Sequence, residues 1–177
     1  LGGFDNLKEW VQKRKPFIID KKLGVSERGI LLVGVPGTGK TLSARAIAKY
    51  LDIPLIQLSL SSIFGSGSGL LGQAEAYLKK TLNEVIQFAP CVMLIDEIEK
   101  QVGGTKSSNV TDGGVGNRMF GELLTFLDDT SHTVFTVATC NSIDDLPPEL
   151  LRRFTTMMFV DFPTERERIQ IINIHLD

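Results

Sequence analysis

The chain has 177 residues, 42% hydrophobic and 23% charged, which fits one compact domain and argues against extended disorder, a collagen-like repeat or a coiled coil. Its apolar runs, such as Ile30 to Val33 and Cys91 to Ile95, fall far short of the roughly 18 to 20 residues that a bilayer span requires. Against 21 acidic residues stand 19 basic ones, a formal charge of −2 without a dense basic stripe, so nonspecific nucleic-acid binding is disfavoured.

Leu1 stands where a translated chain carries Met, and a helical pattern breaks off uncapped at Asp177, so the sequence reads as a piece of a longer one. The first strand, Ile30 to Val33, runs into Gly34-Val35-Pro36-Gly37-Thr38-Gly39-Lys40-Thr41, a match to G-x-x-x-x-G-K-[ST]. Leu42, Ala46, Ile47 and Tyr50 then keep helical spacing, which supplies the strand, loop and helix that the motif needs. In such a loop Pro36, Gly37, Thr38 and Gly39 curl closely enough for backbone N–H groups and the helix N-terminus to meet phosphate oxygens. Lys40 neutralises β- and γ-phosphate charge, and the Thr41 hydroxyl is placed to ligate Mg²⁺.

A second strand spans Leu55 to Leu58, followed by a glycine-rich stretch from Gly65 to Gly72. Leu71, Ala74, Leu78, Leu82, Val85 and Ile86 then read as the buried stripe of a helix. The third strand, Val92 to Ile95, ends in Asp96-Glu97. Asp96 can hold the water shell of Mg²⁺, and Glu97 is placed to polarise an attacking water as a general base; the plainer alternative is two solvated carboxylates. A second glycine-rich stretch, Gly103 to Gly116, precedes a helix marked by Met119, Leu123, Phe126 and Leu127. The fourth strand, Val134 to Ala138, leads to Thr139-Cys140-Asn141, where Asn141 either holds water or γ-phosphate with its amide or merely forms a turn. The nearest approach to a guanine-reading N-K-x-D element, Asn141-Ser142-Ile143-Asp144, lacks the lysine, which favours ATP over GTP. Met157 to Phe162 forms a fifth strand, and Ile169, Ile171, Ile172 and Ile174 lie on a last helix. Alternation of short strands with amphipathic segments is the signature of an α/β fold with a parallel sheet. Cys91 and Cys140 sit inside strand-like runs, so both read as buried thiols in a reducing compartment.

Taken as a set, the sequence resembles the AAA+ ATPases, in the branch of the membrane proteases, the ubiquitin-linked segregases and the uncharacterised plastid and cyanobacterial AAA proteins. The likeness rests on Gly2-Gly3, Arg28-Gly29-Ile30-Leu31-Leu32 leading into the phosphate loop, Ile95-Asp96-Glu97, Ala138-Thr139-Cys140-Asn141 and Pro148-Glu149-Leu150-Leu151-Arg152. Leu7-Lys8-Glu9-Trp10 and Leu146-Pro147-Pro148-Glu149-Leu150-Leu151 are most similar to the plastid and cyanobacterial members. The resemblance implies a three-layer αβα P-loop NTPase fold over residues 1–163, with a five-stranded parallel sheet in which the Asn141 strand lies between the phosphate-loop and Asp96 strands. Residues 164–177 would open a lid subdomain that is otherwise absent.

By the same resemblance Asn141 is sensor 1, and Arg152 and Arg153 are fingers that act on ATP held by the neighbouring subunit. The family has two residues between these arginines where this chain has none, which leaves open which one reaches across. A finger is worth about 10³ to 10⁵ in rate, so activity should depend on assembly, as a homo-oligomer of six. The adenine slot implied by the family comprises Gly2, Leu42, Ile171 and His175. The pore-loop positions are Leu70-Leu71-Gly72, where threading relatives carry an aromatic residue; Phe64 either substitutes for it or packs under the loop. The expected function is Mg-dependent ATP hydrolysis in a ring that remodels a protein substrate; the alternative is a nucleotide-dependent switch or scaffold with little threading. The expected location is the cytoplasm, or the plastid stroma in a eukaryote.

Overall fold

A computed structural model of the chain describes residues 2–20, 27–60, 73–102 and 115–176, apart from the side chains of residues 73, 101, 115, 116 and 175. The helices are α1 (Asp5–Ile19), α2 (Lys40–Leu51), α3 (Gln73–Gln87), α4 (Ile98–Val102), α5 (Val115–Asp128), α6 (Pro148–Leu151) and α7 (Glu165–Leu176). The strands are β1 (Gly29–Val33), β2 (Leu55–Leu58), β3 (Cys91–Ile95), β4 (Val134–Cys140) and β5 (Thr156–Phe159). All five strands pair in parallel in the order β2-β3-β4-β1-β5, so the Asn141 strand does lie between the other two functional strands.

β1, β3 and β4 are buried along their whole length, which is why they read as continuous apolar runs rather than as alternating ones. Side chains still alternate between the two faces. Ile30, Leu32, Val92, Leu94, Phe135 and Val137 pack against α1 and α2 on one face. Leu31, Val33, Met93, Ile95, Ala138 and Cys140 pack against α3 and α5 on the other, where Leu78, Leu82, Val85, Met119, Leu123, Phe126 and Leu127 are buried as their spacing predicts. This is the three-layer α/β arrangement expected from the sequence. Cys91 and Cys140 are both buried free thiols, and loss of hydration pushes each up to about 11.

In α2 the buried stripe is Ser43, Ala44, Ile47, Ala48 and Leu51, whereas Leu42 and Tyr50 are exposed. The ends of two strands differ from the sequence reading. The fourth strand continues through Thr139 to Cys140, since Val33 of β1 offers Cys140 a ladder partner. The fifth strand runs from Thr156 to Phe159 and stops short of Phe162. Its partner β1 ends at Val33, whose carbonyl accepts the Val160 N–H as the last bond, and Phe162 is left exposed.

Candidate functional site

Parallel strands bring their C-terminal ends to one edge of the sheet, where α/β proteins place ligands. Here the edge holds the Gly34–Gly39 loop after β1, Asp96-Glu97 after β3 and Asn141 after β4. The loop needs glycine at Gly37 and Gly39, with φ of 84° and 91°, in the left-handed region that other residues avoid. The Thr38 hydroxyl donates to the Val35 carbonyl at 2.9 Å and closes the turn. α2 then opens with Lys40 as its first residue.

Lys40 is only 7% exposed and its charge is compensated by carbonyl oxygens. Nζ donates to the Gly34 carbonyl, to the Val35 carbonyl at 2.9 Å and to Asn141 Oδ1 at 3.1 Å. The next residue, Thr41, points its hydroxyl at the carboxylate of Asp96, 3.0 and 2.9 Å from the two oxygens. A hydroxyl and a carboxylate this close offer hard oxygen donors of the kind Mg²⁺ takes. Among the described residues there is no cluster of three acidic, histidine or cysteine side chains that forms a cage for a metal by itself.

Thr139 was passed over in the sequence reading, although it was visible beside Asn141. Fully buried in β4, it donates to Asp96 Oδ1 at 2.6 Å and accepts the Glu97 N–H at 2.8 Å, so one hydroxyl fixes both members of the acidic pair. Glu97 has φ of 49°, an uncommon backbone conformation for a non-glycine residue. Its carboxylate turns to Lys100 Nζ at 2.8 Å, and this hydrogen bond raises the Lys100 ammonium above its ordinary range. Glu97 thus joins the site through its main chain, and its acid group pairs with Lys100. Asn141 donates to a second carboxylate that sequence reasoning missed. Glu99 Oε1 accepts both the main-chain N–H at 3.0 Å and Nδ2 at 2.7 Å.

The two consecutive arginines diverge. Arg153 pairs with Asp128 at 3.0 Å, and Arg28 approaches the other oxygen of the same carboxylate at 3.7 Å. Arg152, the residue closing α6, is exposed and has no ion-pair partner among the described residues.

Beside the loop lies a cleft of about 870 Å³ lined in part by Gly2, Phe4, Gly37, Thr38, Leu42 and Ile171. Three of the four expected adenine-slot residues therefore do meet there; the side chain of His175 lies outside the described residues, as do Phe64, Leu70, Leu71 and Gly72. A clasp holds the amino-terminal segment to α7. Gly3 N–H donates to Gln170 Oε1 at 3.1 Å and Phe4 N–H to Glu167 Oε1 at 3.3 Å. Thr164 donates to the other Glu167 oxygen from its N–H and its hydroxyl, each at 2.8 Å, and these bonds hold the Glu167 carboxyl below its ordinary range. Thr164-x-x-Glu167 is a capping box, a pattern legible in the sequence that could have located this clasp.

Residues 30–162 match the family model described as AAA, ATPase family associated with various cellular activities. The chain is 41% identical, over 99% of its length, to a protein of Pyropia yezoensis named as an uncharacterised AAA domain-containing protein, ycf46, and spans 36% of that protein. A protein of the same name from Trieres chinensis is 38% identical over 99% of the chain, which covers 35% of it. The ATP-dependent zinc metalloprotease FtsH of Rhodothermus marinus is 32% identical over 99% of the chain, which covers 26% of it. The chain thus spans about a third or less of the length of these relatives.

Proposed function

Because the chain belongs to the AAA family of ATPases, we propose that it binds Mg-ATP at the strand-end site and hydrolyses it within a ring, of six copies as in its family, to remodel a protein substrate. The observation that carries the reading is the meeting of Thr41 with Asp96 at 2.9 to 3.0 Å beside the lysine that opens α2. Loop N–H groups from Gly37 to Lys40 bind phosphate oxygens, and Lys40 exchanges its carbonyl partners for β- and γ-phosphate. Thr41 and Asp96 would hold Mg²⁺, which when bound offsets phosphate charge. The adenine enters the cleft between Gly2, Leu42 and Ile171, and residues 164–177 begin a lid over it.

Glu97 is the general base for the attacking water. It must first leave Lys100, and this is a small demand, because both side chains are about half exposed, at 45% and 64%, and water screens such a pair. Asn141 holds the water or the γ-phosphate. Arg152 is the finger that reaches the neighbouring copy, since it is exposed and uncommitted among the described residues, while Arg153 braces its own subunit through Asp128. A soluble reducing compartment, cytoplasm or plastid stroma, suits the two buried thiols.

The test is ATPase rate per subunit against concentration for the full-length protein, wild type beside Glu97→Gln. The reading expects the wild-type rate per subunit to rise as copies assemble and the variant to fall about 10² to 10⁴-fold while still binding Mg-ATP. A flat wild-type profile with unchanged turnover in the variant would remove both assignments.

A further inference from the structure

α4 begins two residues after Asp96, and its second residue is a glutamate that is only 8% exposed. Glutamate is almost never buried to this degree without a partner that uses its charge. The partner of Glu99 is Asn141, bonded twice: Oε1 accepts the main-chain N–H at 3.0 Å and Nδ2 at 2.7 Å. Oε2 is buried with no hydrogen bond among the described residues, so the two bonds to Asn141 are what offset the desolvation of this carboxylate.

On its other side the Asn141 amide meets a cation, with Oδ1 accepting from Lys40 Nζ at 3.1 Å. A carbonyl oxygen against an ammonium and an amide NH₂ against a carboxylate is the one favourable orientation of the two that this side chain has. Turned over, it would set oxygen against carboxylate and NH₂ against ammonium, losing both charge-assisted bonds. The surrounding charges therefore decide the amide orientation.

We propose that Glu99 is the positioning residue for Asn141, fixing its rotamer and amide orientation and so tying the helix after the acidic pair to the Gly34–Lys40 loop. Its catalytic consequence rests on the reading of Asn141 given above. When Lys40 turns to phosphate, Oδ1 of Asn141 loses its donor, and Glu99 is the contact that still holds the amide. The length of the side chain matters: aspartate is one methylene shorter, enough to break a 2.7 Å bond, whereas glutamine keeps an acceptor at the same reach.

Two measurements on the full-length protein test this. In the first, the Asn141 side-chain N–H pair is followed by NMR after selective asparagine labelling. Glu99→Ala and Glu99→Asp should move it toward the values of a solvated amide, and Glu99→Gln should keep it near wild type. In the second, Glu99→Ala should lower kcat about 10 to 100-fold with KM for ATP changed less than about 3-fold, and the double variant with Asn141→Ala should be no slower than Asn141→Ala alone. Glu99→Met, which fills the same volume without an acceptor, should give the same readings if truncation to alanine unfolds the chain. An Asn141 signal unchanged in Glu99→Ala and Glu99→Met would overturn the proposal, as would effects on kcat that multiply. If Asn141→Ala leaves kcat intact while the signal collapses without Glu99, the positioning stands and the catalytic role of Asn141 falls.

Discussion

The floor of the site and its rim are built differently. In the floor, two hydrogen-bonded sets, Lys40–Asn141–Glu99 and Thr41–Asp96–Thr139, lie side by side at the ends of β1, β3 and β4, the three strands buried along their whole length. At the rim, Glu97 leans on a half-exposed Lys100, and Arg152 has no ion-pair partner among the described residues. The difference follows from where the two sets attach. Floor residues lie on or directly beside the ends of buried strands and at the first turns of α2 and α4, and the charges of Lys40 and Glu99 are buried, where bonds are strong. Rim side chains point into water, even where, as with Lys100 beside Glu99 on α4, they share a helix with the floor. Under the proposed function this divides the labour: the floor binds nucleotide in one copy, and the rim supplies groups that become fixed when a second copy and the nucleotide arrive.

The sharpest way to break that division is the arginine pair. Arg152→Ala should lower kcat by about 10³-fold or more with folding intact. Arg153→Ala should leave kcat within about 3-fold and lower Tm by a few degrees, in proportion to the roughly 1 kcal/mol of a half-exposed ion pair. Thermal melts beside steady-state rates separate the two, and the reverse pattern would exchange their roles. Lys40→Ala should weaken Mg-ATP binding roughly 100-fold by calorimetry, the worth of one or two charge-assisted bonds. Lys100→Ala tests the rim from the other direction. Freeing Glu97 should raise kcat by no more than about 5-fold, since the pair is screened by water, and a loss of 100-fold would place Lys100 inside the site.

The floor was largely legible in the sequence and the rim was not. Continuous apolar runs identified β1 and β3, and the glycine motif identified the loop, because burial on both faces and positive φ leave few residue choices. The limits of β4 and β5 were misjudged because a strand's length is set by its neighbour: Cys140 is ladder residue only by virtue of Val33. Glu99 follows Asp96 and Glu97 as one more acidic residue, and only the turn of α4 decides that it faces Asn141 while Lys100 faces Glu97. The surroundings of Arg152 and Arg153 likewise differ through Asp128, a residue 25 positions before Arg153 that spacing could not have paired with it.

The smallest effect concerns the core beneath the site. Burial pushes the thiols of Cys91 and Cys140 up to about 11, from an ordinary value of 9.0. The unfolded chain then releases these protons first, so the thiols cost the fold stability as pH rises from 9 toward 11. Denaturant unfolding at pH 8 and pH 10 should show a larger loss in the wild type than in a Cys91→Ala/Cys140→Ala variant, and equal losses would mean that the thiols are hydrated.

The central claim is a site divided between two copies, and mixing two dead variants tests it most directly. Full-length Glu97→Gln and Arg152→Ala proteins, each inactive alone, should regain on equal mixing about a quarter of the wild-type rate, because one neighbouring pair in four joins an intact Glu97 to an intact Arg152 across a heterologous interface. A mixture that stays at the average of the two variants, in assemblies shown to exchange subunits, would contradict the account.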